Sequence, residues 1–242
     1  MTTHTRPTAL VTGGSSGIGL EIVRALSGRG MDVLTCGRRE VPPEPISALP
    51  GVEYCACDLT SARGVDSLAA LVDRRGGRLD SLFNNAGIQV ECRVDPDLSW
   101  QKIEAEVATN LVAPIALTSA LVPALAQARG HVVNLSSGLA LAPKAASPIY
   151  CATKAGLSNF SRSLSYQLEE HGITVVDVVT PLVKTPMTEG RHEGAIAPEN
   201  FVRQMLAQID AGKRHVFVGK ARLLPPLLRL VPSLAYRIMR NA

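Results

Sequence analysis

Apolar residues in this chain fall in short runs separated by longer stretches of helical period. "TALVTG" is followed by "GIGLEIVRALSGRG", then by "MDVLTC" and, after a proline-rich interruption, by "VEYCACD" and "SLAALVDRRGG". Further strand candidates are "LDSLFNN", "HVVNLSS" and "ITVVDVV", separated by the helical stretches "SWQKIEAEVATNLVAPIALTSALVPALAQA" and "YCATKAGLSNFSRSLSYQLEEHG". Strands that are apolar on both faces need helices on both sides, so the alternation predicts an α/β fold with a doubly wound parallel sheet. Pro42, Pro43, Pro45 and Pro50 remove backbone donors and fix φ, so the helix after the second strand should be short or absent. Pro114 falls inside the long helical stretch and is expected to kink it.

A chain of 242 residues with 46% hydrophobic content can bury one large core, and one domain over residues 1–242 is expected. The formal net charge of +4 comes from 25 basic and 21 acidic residues spread along the chain, which is not the clustered footprint of a nucleic-acid binder. The basic excess sits mainly near the end, in "GKRHVFVGKARLL". Cys36, Cys55, Cys57, Cys92 and Cys151 form no CxxC pair and have no histidines at zinc spacing, so reduced thiols and no metal site are expected. The opening "MTTHTRPTAL" lacks the apolar region of a signal peptide, and no stretch reaches the roughly 18 apolar residues of a membrane span. A soluble, cytoplasmic protein is the expectation.

Two local patterns carry candidate chemistry. "VTGGSSGIGL" lies where the first strand gives way to the first helix, and a pyrophosphate there needs a tight turn, a bare backbone and free N–H groups at a helix start. Gly13, Gly17 and Gly19 supply the first two, and Ser15 and Ser16 add hydroxyls; the same glycines would equally suit a plain strand end and helix cap. Tyr150 and Lys154, in "YCATK", are four residues apart, which on a helix is about 6 Å of rise and places both on one face. Such a pair is also common on a solvated helix face.

The TGxxxGxG spacing, "NNAG" at Asn84 to Gly87 and the YxxxK pair together resemble the short-chain dehydrogenase/reductase family, from the first strand to the C-terminal helix. "SSGLALAPKAASPIYCATKAGL", "PLVKTPM" and the tail "KARLLPPLLRLVPSLAYRIM" are similar to its DltE-like branch, whose members' substrates are mostly undefined. The resemblance implies a Rossmann-type sheet of about seven strands and an oxidoreductase that passes hydride between a nicotinamide and a carbonyl or alcohol substrate. It implies a catalytic tetrad of Asn110, Ser137, Tyr150 and Lys154. Tyr150 is then the general acid/base, Ser137 rather than Ser136 bonds the substrate oxygen, and Asn110 kinks a helix and holds a water linked to the lysine. The ammonium and an oxidised nicotinamide are expected to lower the tyrosine pKa.

Cofactor contacts are implied at Gly13, Ser15, Ser16, Gly17, Ile18 and Gly19, at Asn85, Ala86 and Gly87, and at Tyr150 and Lys154 themselves. They are also implied at Asp58 and Leu59, where Asp58 meets the adenine and could equally N-cap the next helix. In "TPLVKTPM" they fall on Pro181, Val183 and Thr185, with Leu182 in place of the family's glycine. At the end of the second strand, "LTCGRR", the family's ribose-binding Asp is replaced by Gly37, followed by Arg38 and Arg39. A guanidinium fork suits a 2′-phosphate, which implies NADPH/NADP+ in preference to NADH. The resemblance further implies a substrate lid near 186–200, a helical tail near 220–242, and a homodimer or homotetramer built on the two long helices ending near Gln127 and His171. The tail carries Lys220, Arg222, Arg229, Arg237 and Arg240 among apolar residues and could close the site, meet a partner subunit or make peripheral contact with a membrane. Pro225, Pro226 and Pro232 interrupt it, which places packing on the protein or a subunit first. Two alternatives stay open: an enzyme of this fold working on another bond, by imine reduction or alcohol oxidation in a biosynthetic pathway, or a non-catalytic NADP(H) sensor. Sensors on this fold typically lose the Tyr or the Lys, and both stand here.

Overall fold

Seven parallel strands make one sheet in the computed structural model, which describes residues 6–191 and 193–241. They are β1 (Thr8–Thr12), β2 (Asp32–Gly37), β3 (Val52–Ala56), β4 (Ser81–Asn84), β5 (His131–Leu135), β6 (Thr174–Val179) and β7 (His215–Phe217). Their spatial order is β3-β2-β1-β4-β5-β6-β7, so the winding reverses between β1 and β4 and opens a crevice at the carboxyl ends of the strands. The helices are α1 (Gly17–Gly28), α2 (Glu44–Ser47), α3 (Ala62–Arg74), α4 (Trp100–Val107), α5 (Ala113–Ala128), α6 (Pro148–Leu168), α7 (Pro198–Asp210), α8 (Leu224–Leu230) and α9 (Pro232–Met239).

Both faces of the sheet are covered, which is why its central strands are largely apolar. On one face Val11, Phe83, Val133 and Val176 pack against Ile22 and Leu26 of α1 and Phe201 and Met205 of α7. On the other, Leu10, Leu34, Leu82 and Val132 meet Leu68 of α3, Leu121 and Leu125 of α5, and Leu164 of α6. Each fully buried Leu, Val or Ile contributes about 1.5–3 kcal/mol of burial free energy, and the two layers hold the strand ends in fixed register. The proline cluster acts as expected, leaving α2 a single turn of four residues.

In the long helical stretch the irregularity expected near Pro114 takes the form of a π-helical turn. α4 runs into a π-helical turn at Ala108–Val112 and continues as α5, so the ladder widens ahead of Pro114. Pro114 has no N–H to give the Asn110 carbonyl four residues earlier, and the wider turn accommodates that missing bond. The combined run Trp100–Ala128 is long and apolar enough by composition to cross a membrane, contrary to the expectation that no stretch is. In this fold it is a core helix, with Leu117, Leu121 and Leu125 buried against the sheet.

Candidate active site

The glycine turn leaves β1 and enters α1 through backbone conformations and contacts that exclude side chains. Gly13 and Gly17 have φ of 68° and 53°, in the left-handed region that favours glycine. A Cβ on Gly19 would lie 2.2 Å from the Gly13 carbonyl oxygen, one on Gly13 would lie 3.0 Å from Ala86 Cα, and one on Gly17 would lie 3.1 Å from Thr185 Cγ2. The turn is therefore closed in by two segments that the sequence places far away, Asn85–Ala86 and Thr185. The first N–H groups of a helix have no intrahelical partner, and the Ser16 hydroxyl makes no cap bond to those of α1. What results is a cradle of backbone donors with no side chain in it, the chemistry a pyrophosphate requires. Ser15, Ser16 and Ile18 line the same turn, with Ser16 exposed.

Thr12, which the sequence reading did not single out, fixes the neighbouring segment. Its hydroxyl oxygen accepts the N–H groups of Asn85 and Ala86, each at 3.0 Å, while Asn85 Nδ2 donates to the Thr12 carbonyl at 2.9 Å. Asn84 faces the other way: its buried amide donates to Asn134 Oδ1 at 2.7 Å and to Thr118 at 3.1 Å, joining β4 to β5. At the end of β2, Arg38 and Arg39 are exposed. A Cβ on Gly37 would come 2.7 Å from the Tyr54 hydroxyl, which itself donates to the Arg39 carbonyl at 2.9 Å. Tyr54 thus walls off position 37 from any acid and steadies the arginine turn; its only signal in the sequence is an aromatic residue in β3, where Thr35 of β2 is its register partner.

Asp58 and Leu59 follow β3. Asp58 Oδ1 accepts the Thr60 N–H at 3.0 Å and the Thr60 hydroxyl at 2.8 Å. The Thr60 N–H is the main reason its carboxyl is held below the usual carboxylate range, with Arg38 adding a smaller pull. Asp58 does not N-cap α3: Ser61, one residue before the helix, does so by accepting the Gly64 N–H at 3.1 Å.

The two serines after β5 have separate partners. Ser136 Oγ donates to the Val178 carbonyl at 3.2 Å, whereas Ser137 accepts the Leu139 N–H at 3.1 Å and is hydrogen-bonded to the Tyr150 hydroxyl. Tyr150 and Lys154 lie in the first turns of α6, and Lys154 Nζ stands 5.7 Å from the centre of the tyrosine ring while donating to the Leu135 carbonyl at 2.8 Å. Asn110, in the π turn, clasps the backbone of Ile88: its Oδ1 accepts the N–H at 2.8 Å and its Nδ2 donates to the carbonyl at 2.8 Å. Its Nδ2 also reaches Thr153 in α6 at 3.2 Å. A Cβ on Gly87 would lie 3.2 Å from Asn110 Oδ1 and 3.6 Å from Lys154 Nζ, so the segment after β4 passes close to both. The four residues of the predicted tetrad and the Asn85–Gly87 segment therefore meet at one place.

The electrostatics of the pair differ from the expectation. Burial pushes the Tyr150 phenol up to about 12, opposed by its bond to Ser137, and pushes Lys154 down to about 8, opposed by the charge of buried Asp177. The ammonium is turned toward a carbonyl rather than toward the phenolic oxygen, so in the protein alone desolvation outweighs any lowering of the tyrosine. Glu106 was also missed. It is fully buried in α4, its Oε1 accepts the Val90 N–H at 3.1 Å, and burial raises its pKa. A glutamate on the inward face of an apolar helical stretch was the available signal.

The loop after β6 closes the site from the far side of the sheet. Val183 pairs with Ile196 in a parallel bridge, with Lys184 N–H donating to the Ile196 carbonyl at 2.9 Å and Ile196 N–H to the Leu182 carbonyl at 3.0 Å. Pro181 opens this loop, and Thr185 forms a capping box with Thr188 while packing on Gly17. Beyond it Arg191 reaches across, donating to Gln89 at 3.2 Å and pairing with Glu91 at 3.5 Å; Glu91 also pairs with buried Lys144 at 3.0 Å. This clasp joins the segment after Thr185, the stretch after Gly87 and the loop before Tyr150. Among the described residues no group of three or more His, Cys, Asp or Glu is placed to hold a metal ion.

The sequence model of the short chain dehydrogenase family matches residues 7–195, which takes in the glycine turn, the tetrad and the loop after β6. This chain belongs to that family. Its curated relatives include an uncharacterized oxidoreductase, DltE, of Bacillus subtilis strain 168, 33% identical over 221 residues and covering 88% of each chain. They also include a fatty acyl-CoA reductase of Acinetobacter baylyi, 32% identical over 237 residues, covering 93% of this chain and 80% of that one. Among solved structures, a short chain dehydrogenase from Burkholderia cenocepacia J2315 in complex with NADP superposes with a TM-score of 0.86 at 24% identity, covering 98% of both chains. As a short-chain dehydrogenase, the protein is an oxidoreductase with a nucleotide-binding Rossmann-like sheet.

Proposed function

We propose that the protein is an NADPH-dependent ketoreductase that transfers hydride between the nicotinamide and a small carbonyl or alcohol substrate, with Tyr150 as general acid/base. The observation that carries this reading is the meeting of Asn110, Ser137, Tyr150 and Lys154 beside an open glycine cradle at the switch point of the sheet. Bound in that cradle, NADPH would supply the hydride for the carbonyl carbon. Gly13, Ser15, Ser16, Gly17, Ile18 and Gly19 would hold its pyrophosphate, and Arg38 and Arg39 its 2′-phosphate. Asp58 and Leu59 would take the adenine side, and Asn85, Ala86 and Gly87 the ribose side. Pro181, Val183 and Thr185 would take the nicotinamide side. The preference for NADPH is supported by the absence of an acid at Gly37, where a carboxylate would repel the phosphate, and by the two adjacent guanidiniums. It also agrees with the NADP held by the Burkholderia relative.

A phenol with a pKa near 12 is fully protonated at neutral pH, so Tyr150 is poised to give its proton to a carbonyl oxygen. The Ser137 hydroxyl is a second donor for that oxygen, placed by its own bond to Tyr150. Once the proton has left, the phenolate gains from the Lys154 charge, and an ammonium near pKa 8 can release a proton to restore it. The π turn around Asn110, where the ordinary helical ladder is broken, is the natural place for a water in such a relay. The cysteines are all free, in keeping with a reducing, cytoplasmic setting. The exposed apolar residues Val112 at the end of the π turn, Ile115 on α5 and Tyr166 on α6 support assembly into a homodimer or homotetramer through those helices.

The test is loss of NADPH absorbance over a panel of ketones and aldehydes, with long-chain carbonyl compounds included because a fatty acyl-CoA reductase is among the relatives. Tyr150→Phe is expected to lose about 10²-fold or more in turnover on any accepted substrate. A variant within a few-fold of the wild type would refute the role of Tyr150. Tight NADPH binding without turnover across the panel would instead favour a nucleotide sensor.

A further inference from the structure

The last thirty residues combine two features that the reductase reading leaves unused. From Lys213 to Asn241 the chain holds seven Lys or Arg and no Asp or Glu, while the rest carries 18 basic against 21 acidic residues. The positive balance of the whole protein therefore resides in this segment. Among the described residues, the same segment holds six of the fourteen exposed large apolar side chains, all between Leu223 and Ile238, with Leu230 76%, Leu223 65% and Ile238 55% exposed. Single exposed apolar residues are ordinary on a soluble chain; a concentration of them in sixteen residues is not.

Both short helices are seated on the body of the protein at the edge of the cleft. Leu224 and Ala235 are buried, and Leu224 Cδ1 lies so close to Gly138 that a Cβ there would come within 2.9 Å. The Arg240 carbonyl accepts the Ala145 N–H at 2.9 Å, and Lys220 Nζ lies against Gly194 of the segment after Thr185. The helices thus grip the loop between Ser137 and Tyr150 through Leu224 and the Arg240 carbonyl and leave Arg229, Leu230, Leu234, Tyr236, Arg237 and Ile238 exposed to solvent. Pro232 breaks the run into two short helices without removing its outward apolar residues.

We infer that this outward face docks on an anionic lipid bilayer, its leucines, tyrosine and isoleucine entering the headgroup boundary and its cations meeting lipid phosphates. A second copy of the chain is the poorer occupant, because a two-fold contact would bring Arg229 and Arg237 of each copy together with no acid in the segment to pair them. An anionic surface satisfies both the charge and the apolar side chains at once. Docking there would bring the mouth of the cleft, through the 138–145 loop and the segment after Thr185, up to the membrane. The inference does not depend on the reductase reading.

Co-sedimentation of the full-length protein with vesicles of phosphatidylcholine, with and without added phosphatidylglycerol, tests it directly. Binding is expected to the anionic vesicles only, and to be released at about 1 M salt, where the Debye length falls to about 3 Å. Replacing Arg229→Gln together with Arg237→Gln is expected to lower the partition coefficient roughly twenty-five-fold at low salt, from about fivefold per cation. Leu230→Ser with Ile238→Ser is expected to weaken it as well, with thermal melting by circular dichroism confirming that each variant is folded. No binding to anionic vesicles, equal binding to neutral ones, or undiminished binding by the folded arginine variant would overturn the proposal. So would a Leu230/Ile238 variant that turns an oligomer into monomers, measured by sedimentation, while vesicle binding stays unchanged.

Discussion

Lys154 shows how a single buried group can hold function and stability in opposition. Its ammonium is almost wholly buried and has a carbonyl for a partner, and burial brings its pKa from the ordinary 10.5 to about 8. A base whose pKa is lowered by folding binds fewer protons in the native than in the unfolded state between those two values, so stability should rise as pH climbs from 8 toward 10.5. Below pH 8 the full penalty applies, on the order of 3 kcal/mol from the size of the shift. Lys154→Met should therefore unfold at higher urea than the wild type at pH 7, lose the rise in stability between pH 8 and 10.5, and be inactive as a reductase. Urea midpoints for both proteins across that range provide the measurement. A variant less stable than the wild type at pH 7 would mean that the carbonyl bond more than offsets desolvation. Glu106 has the opposite sign: burial raises its pKa, so its contribution is complete at low pH and is lost as pH rises.

At the level of elements, the π turn between α4 and α5 is where sequence and site meet most closely. Pro114 brings no N–H to the helical ladder here, while the Asn110 side chain holds Ile88 on one side and Thr153 of α6 on the other. Pro114→Ala restores the missing N–H and should let the turn tighten toward α-helix, drawing Asn110 out of its place beside Lys154. The expected outcome is a melting temperature equal to or above that of the wild type, with a lower kcat; an unchanged kcat would show that the π turn has no part in the reaction. The same turn marks how far the sequence could be read. The inner strands were legible because they are buried on both faces and so are largely apolar, whereas the short edge strand β7 was not singled out, and the cradle was legible because glycines best fit its φ values and contacts. The widened turn was not, because Pro114 shows only that one bond is missing, while the bonds that choose the geometry come from Ile88, 22 residues away. The capping of α3 by Ser61 rather than Asp58 turned on a three-residue difference in where the helix starts. The raised tyrosine pKa and the clasp of Arg191, Gln89, Glu91 and Lys144 depend on burial and on contacts 53 to 102 residues apart, which no local pattern records.

Across the whole molecule, the candidate cofactor site draws on every part of the sheet. The glycine turn follows β1, the arginine turn follows β2, Asp58 follows β3, Asn85 to Gly87 follow β4, and Thr185 arrives from beyond β6 to pack on Gly17. A dinucleotide lying along these strand ends would touch segments that have no fixed relation in the unfolded chain, so it should bind the native state alone and stabilise it by mass action. At a hundred times its dissociation constant that contribution is about 2.7 kcal/mol. For a chain of this size each kcal/mol moves the melting temperature by roughly 2–4 °C, which makes the expected shift with NADPH about 5–10 °C. NADH at the same concentration should give a smaller shift, because nothing on it engages Arg38 and Arg39. Arg38→Ala should bring the NADPH shift down toward that of NADH while leaving the NADH shift unchanged, and Tyr150→Phe should keep most of the shift while losing turnover. Melting curves of the three proteins with each dinucleotide would separate the recognition of the phosphate from the chemistry at the phenol. Equal shifts for NADPH and NADH in the wild type would mean that the turn steadied by Tyr54 does not read the 2′-phosphate at all.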